Sequence, residues 1–127
     1  MNLILDTHTL LWFFRNDEQL SEVARSTIED GSSHIDISMA SFWEMAIKLS
    51  IGKLRLEKPF VEVHQRVIEN GMDVRAILFE HIRVVGSLPF YHRDPFDRMI
   101  IAQALVDDLA IVSNESVFEK YGVKRIW

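Results

Sequence analysis

Cysteine is missing from all 127 residues, so neither a disulfide framework nor a thiolate zinc site can form, and the cytoplasm is the expected compartment. Long apolar runs are missing too. The longest, Leu10 to Phe14, falls far short of the roughly 20 residues that cross a bilayer, so no membrane association is expected. A secretory leader is not expected either, because Asp6 interrupts the first apolar run and Arg15-Asn16-Asp17-Glu18 ends the second. Positive charge is in deficit: 14 Lys and Arg face 19 Asp and Glu, for a net charge of −5. That balance opposes general attraction to nucleic acid, which depends on basic side chains replacing counterions. A nucleic-acid substrate is compatible with it only if the surplus carboxylates gather where cations bind, so that the cations hold the substrate. No linker, repeat or low-complexity segment interrupts the chain. With 48% hydrophobic and 26% charged residues, residues 1–127 are expected to fold as a single domain.

Several apolar runs read as strands, and most pass directly into helical patterns. Asn2 to Asp6 is a short apolar run ending in an acid, and Thr7-His8-Thr9 leads into the bulky segment Leu10 to Phe14: strand, turn, helix. Ser21 caps a second helix carrying Val23, Ala24, Thr27 and Ile28, with Gly31 just past its end. His34 to Ser38 alternates as a second strand, and Ser38 or Ser41 caps a helix reaching to about Ile51. Pro59 opens a helical pattern that stops at Asn70-Gly71. A short strand within Met72 to Ile77 and a short helix over Phe79 to Gly86 follow. Asp94-Pro95-Phe96-Asp97 starts the clearest helix, which runs through Met99, Ile100, Ile101, Ala102, Ala104 and Leu105 to Asp107-Asp108 and is expected to be buried on most sides. Leu109 to Val112, Ser116 to Tyr121 and Val123 to Trp127 read as strand, helix and strand. Alternating strands and helices imply right-handed crossovers and an α/β fold with a parallel sheet covered on both faces.

In such sheets ligands bind beyond the carboxyl ends of the strands. Asp6 ends the first strand, Glu44 lies one turn into the helix after the second, Asp94 and Asp97 start the long helix, and Glu115 follows the fourth strand. One pole of the sheet therefore collects acids from separate segments. Two carboxylates about 4 Å apart repel by roughly 4 kcal/mol at an effective dielectric near 20, so such a cluster binds protons or recruits cations. Oxygen ligands without cysteine favour magnesium or manganese over zinc or copper. Those ions polarise a phosphodiester and activate a water.

Each acid also has a plainer role. Asp6 can cap the helix after it, Glu44 can pair with Lys48 four residues on, Asp94 with Asp97 forms a capping arrangement, and Glu115 suits the first turn of a helix. His8 and His92 lie near candidate acids but receive no catalytic role, and His34, His64 and His81 show no metal-ligand spacing.

Three blocks carry a resemblance: Leu5-Asp6-Thr7-His8-Thr9-Leu10-Leu11-Trp12, Ser41-Phe42-Trp43-Glu44-Met45-Ala46-Ile47-Lys48, and His92-Arg93-Asp94-Pro95-Phe96-Asp97-Arg98-Met99-Ile100-Ile101-Ala102-Gln103-Ala104. Together, in order and spacing, they resemble the PIN domain of VapC-type toxins, and the likeness runs from Met1 to Trp127. The resemblance implies a three-layer α/β/α fold around a central parallel sheet, and endoribonuclease activity dependent on Mg2+ or Mn2+. Within it, Asp6, Glu44 and Asp97 match the acids that hold metal, and Asp94 matches an additional acid of this branch. Glu115, in Ser113-Asn114-Glu115, stands where Asp is commoner, and its longer arm shifts a ligand or calls for a water bridge. The resemblance also implies an RNA substrate, a cognate antitoxin protein and a homodimer. Part of the set Leu10, Leu11, Trp12, Phe13, Phe14, Phe42 and Trp43 is expected to face a partner, and Arg93, Arg98, Lys48, Lys53 and Arg55 are candidate phosphate contacts.

Competing readings are a metal-dependent phosphatase or phosphotransfer protein and a catalytically inactive PIN-like binding module. Asp6-Thr7-His8-Thr9 lacks the second Asp two positions on that the phosphatase type requires, and no acid pair opens the chain as in a receiver. A dinucleotide enzyme is set aside because no Gly-x-Gly-x-x-Gly follows the first strand.

Overall fold

Hydrogen bonding between neighbouring backbones assembles five strands: β1 (Asn2–Leu5), β2 (His34–Ser38), β3 (Asp73–Arg75), β4 (Ala110–Val112) and β5 (Arg125–Ile126). The computed structural model describes residues 1–127. The strands lie in the order β3-β2-β1-β4-β5, and every neighbouring pair is parallel. From β1 the chain steps outward through β2 to β3, then returns to the other side of β1 for β4 and β5. The direction of travel therefore switches between β1 and β4, and at that point the flanking connections leave in opposite directions and open a crevice at the carboxyl ends.

Six helices cover the sheet: α1 (Thr7–Arg15), α2 (Glu22–Glu29), α3 (Met39–Ser50), α4 (Phe60–Glu69), α5 (Phe79–Val85) and α6 (Pro95–Asp107). Side chains alternate across the sheet. Leu3 and Leu5 pack with Leu10, Ala24, Phe42, Met45 and Val67 from the α1 to α4 layer. Ile4 and Ile111 pack on the opposite face with Ile100, Ile101 and Ala104 of α6 and with Phe118. This is the expected three-layer α/β/α arrangement. Leu3, Ile4 and Leu5 have no solvent exposure, and burying each such side chain contributes roughly 1.5–3 kcal/mol.

The outer elements are shorter or tighter than their sequence patterns predict. β3 and β5 are edge strands and exist only where β2 and β4 offer backbone to pair with. Ser116–Tyr121 winds as a 3₁₀ helix and ends at Gly122, whose φ of 80° only glycine adopts readily. Of the bulky set expected to offer partner surface, Leu10, Leu11, Trp12 and Phe42 are buried and Phe13 and Phe14 are partly buried. Trp43 alone stays largely exposed, edge-on against Phe96. No helix is long and apolar enough to cross a membrane.

Candidate metal centre

The switch point is laced by side chains. Asp6, 3% exposed, caps α1 by accepting from the Thr9 backbone N–H at 2.9 Å, while its Oδ2 accepts from Ser113 Oγ, one residue beyond β4. That bond spans the crevice between β1 and β4. Ser113 Oγ also accepts from the Glu115 backbone N–H at 3.1 Å, which fixes the start of the segment carrying Glu115. From the other side, Thr7 Oγ1 donates to Glu44 Oε1 at 2.6 Å, with Ser41 Oγ 2.9 Å away. Glu44 is 2% exposed, and its Oε2 accepts from Lys48 Nζ. The capping role of Asp6 and the ion pair of Glu44 are therefore realised, and burial adds something neither requires.

α6 brings the remaining acids. Asp94 caps it, with Oδ1 accepting from the backbone N–H groups of Phe96 at 2.9 Å and Asp97 at 3.0 Å, and Pro95 fills the first turn, where a missing N–H costs nothing. Asp97 follows in that turn, and its Oδ2 lies 2.7 Å from His92 Nε2. The same nitrogen lies 3.3 Å from Glu115 Oε2. Donor atoms of His92, Asp97 and Glu115 all fall within 4.8 Å of one another. Asp6, Glu44 and Asp94 fall outside this group and reach Asp97 through their charge.

The electrostatics make that convergence visible. Asp97 is pushed up to about 9, first by burial and then by the charges of Asp94, Asp6, Glu115 and Glu44. All five acids named from the sequence thus share one field. Lys48 is drawn into it as well: its proton is held more tightly than usual, first by the hydrogen bond to Glu44, against the pull of partial burial, with Asp94 and Asp97 adding to the hold.

Two observations bear on whether a cation fits. Glu115 Oε2 is shielded from solvent yet has no hydrogen-bond partner, and burial followed by the charges of neighbouring acids holds the Asp97 proton far above the usual carboxylate range. The donors are carboxylate oxygens and one imidazole, a set that can chelate a divalent metal.

Sequence reasoning placed His92 near candidate acids but gave it no role, because a lone histidine five residues before an acid has no metal-ligand signature of its own. It also misread Arg98 as a phosphate contact. Arg98 is 5% exposed and donates to the carbonyls of Pro89, His92, Val85 and Leu88, so it staples the 85–92 segment onto α6 instead. A second ligand-like group was also overlooked: His34 Nε2 lies 3.2 Å from both Asp36 Oδ1 and Asp73 Oδ2. There the countercharge is already present, because Arg75 donates to Asp36 Oδ2 at 2.6 and 2.9 Å.

Comparison with known proteins agrees with this fold. Among solved structures, the chain is similar to VapBC2 from Rickettsia felis bound to a DNA fragment from its promoter, at TM-score 0.66 and 14% identity over 98% of this chain and 97% of that one. It is similar to VapBC-1 from nontypeable Haemophilus influenzae at TM-score 0.62 and 12% identity, over 98% and 96% of the two chains. FitAcB from Neisseria gonorrhoeae follows at TM-score 0.61 and 16% identity, over 97% and 95%. No curated protein matches the chain by sequence. The family profile described as PIN domain matches residues 3–124, nearly the whole length, and the chain belongs to the PIN-domain family.

Proposed function

We propose that residues 1–127 form a single-domain, metal-dependent endoribonuclease, the toxin component of a type II toxin–antitoxin system, with Asp6, Glu44, Asp94, Asp97 and Glu115 as its functional acids. The observation that carries this reading is the cluster at the carboxyl pole, where donor atoms of His92, Asp97 and Glu115 lie within 4.8 Å of one another and Asp94, Asp6 and Glu44 add negative charge around buried Asp97. Such a concentration of negative charge is one that a cation relieves.

In this reading Asp6, Glu44, Asp94 and Asp97 hold Mg2+ or Mn2+, with Glu115 completing the shell. An ion held by these residues would supply Lewis-acid polarisation of a phosphodiester and a lowered pKa for a bound water. The protein's own part is to orient the ligands. Thr9 N–H and Ser113 Oγ fix both oxygens of Asp6, Thr7 and Lys48 fix those of Glu44, and the Asp94 cap sets the first turn of α6 and with it Asp97. Lys48, one-third exposed beside Glu44, is also placed to meet a phosphate. An RNA substrate, a protein antitoxin, a homodimeric state and a cytoplasmic location belong to the same proposal. Its support is the family together with structural likeness to VapBC and FitAcB proteins.

The test is RNA cleavage with added Mg2+ or Mn2+, comparing the parent with Asp6→Asn and Asp97→Asn. Loss of one such electrostatic contribution is expected to slow cleavage by about a hundredfold or more. Equal rates in all three folded proteins reject catalysis by this site and leave the binding-module reading.

A further inference from the structure

Glu115 and His92 stand out within the acid pole because their placement serves no local structural need. Glu115 opens the 3₁₀ segment without a side-chain cap, and its Oε2 is hidden from solvent with no hydrogen bond. That oxygen and Asp97 Oδ2 flank the same imidazole nitrogen, at 3.3 and 2.7 Å. Adjacent ligand atoms of an octahedral ion with bonds near 2.1 Å are about 3.0 Å apart, so the two observed spacings bracket the edge of such a shell.

The ring is also held in place before any ligand arrives. The His92 backbone N–H donates to Tyr121 Oη at 2.9 Å, and Tyr121 Oη donates to Pro89 O at 2.7 Å. The His92 carbonyl accepts from Arg98 Nη1 at 3.2 Å, and the ring leans on buried Phe118 with centroids 5.8 Å apart. Anchors from three directions leave Nε2 facing the two carboxylates. Preorganisation of this kind characterises metal ligands supported by an outer shell.

We infer that His92 is a nitrogen ligand of the divalent cation, acting with Asp97 and with Glu115, so that the centre carries a mixed nitrogen and oxygen shell. This rests on the metal-dependent reading above and extends it. The longer arm of Glu115 then has a reason, since its carboxylate reaches the imidazole side of the site. An imidazole donor suits first-row transition ions, whereas Mg2+ prefers oxygen, so the centre favours Mn2+.

The test uses the full chain with Mn2+ or Mg2+ alone, without RNA. Electron spin-echo spectroscopy of the Mn2+ complex reads directly bonded nitrogen, and calorimetric titration reads affinity for each ion. The parent is expected to show the modulation of one coordinated imidazole nitrogen, lost in His92→Gln. The Mn2+ affinity of that variant should fall about tenfold to a hundredfold, with a smaller change for Mg2+. Mn2+ binding by the parent without nitrogen modulation overturns the role of His92 and leaves the metal site standing. Failure of the parent to bind either ion overturns both. Nitrogen modulation that persists in folded His92→Gln, from a histidine such as His34 beside Asp36 and Asp73, also overturns the role of His92.

Discussion

The two ends of α6 carry acids under opposite conditions. At the amino end, Asp94 and Asp97 sit where unpaired backbone N–H groups favour negative charge, yet Asp97 is pushed up to about 9 by burial and by four other acids. At the carboxyl end, Asp107 sits where the helix disfavours an acid, but donors answer it: the Arg75 guanidinium Nη1 lies 2.9 Å from its Oδ2 and His81 Nε2 lies 2.8 Å away. Arg75 also grips Asp36, which is 2% exposed. Burial works against the Arg75 charge, but the hydrogen bonds and charges of Asp36 and Asp107 outweigh it and hold its proton more tightly than usual. The Leu78 N–H donates to His81 Nδ1 at 3.0 Å, so Nε2 carries the proton and donates to Asp107. One end is a completed structural network. The other sets Lys48 against five acids, and that shortage of countercharge is what marks a site.

Breaking the completed end should have the largest effect. Arg75→Met leaves buried Asp36 with His34 alone and Asp107 with His81 alone, for an expected loss of about 3–5 kcal/mol in denaturant unfolding. A loss under about 1 kcal/mol would mean that the two ends are not as different as their partners indicate.

The opposite sign is expected at the amino end. In the metal-free protein Asp97→Asn should stabilise, on the order of 1 kcal/mol or more at neutral pH, because the variant no longer has to keep a proton that the unfolded chain gives up. The pH profile sharpens the point. The unfolded chain releases the Asp97 proton near pH 4 and the folded protein holds it to about 9, so across that window the unfolded state binds fewer protons. The Asp97 contribution to parent stability should therefore fall as pH rises from about 4 to about 9, and this slope should be shallower in Asp97→Asn. Parallel profiles in thermal melts would contradict the assignment.

The contrast also shows what a one-dimensional reading can reach. That Asp6, Glu44, Asp94, Asp97 and Glu115 share one pole was legible because strand ends and helix starts have local signatures, and a parallel sheet sends all its carboxyl ends to one side. Helix boundaries at Ser21, Ser38 and Asp94 were legible through their capping side chains. The Arg75 network was not, since its contacts join residues 26 to 39 positions apart across separate elements. Arg98 looked like any helix-surface cation, because its partners are backbone carbonyls that no composition records. His92 became meaningful only when the loop it shares with Arg98 was folded against Phe118. Edge strand β5 was overextended for a related reason: a strand ends where its neighbour stops pairing, which is a property of the neighbour.

Melting the metal-free protein against increasing Mg2+ and Mn2+ addresses the shortage of countercharge most directly. The parent and Arg75→Met should both gain stability, about 2.7 kcal/mol at a hundredfold excess over the dissociation constant, while Asp97→Asn gains far less. Equal gains in parent and Asp97→Asn, or none in the parent, would contradict the account.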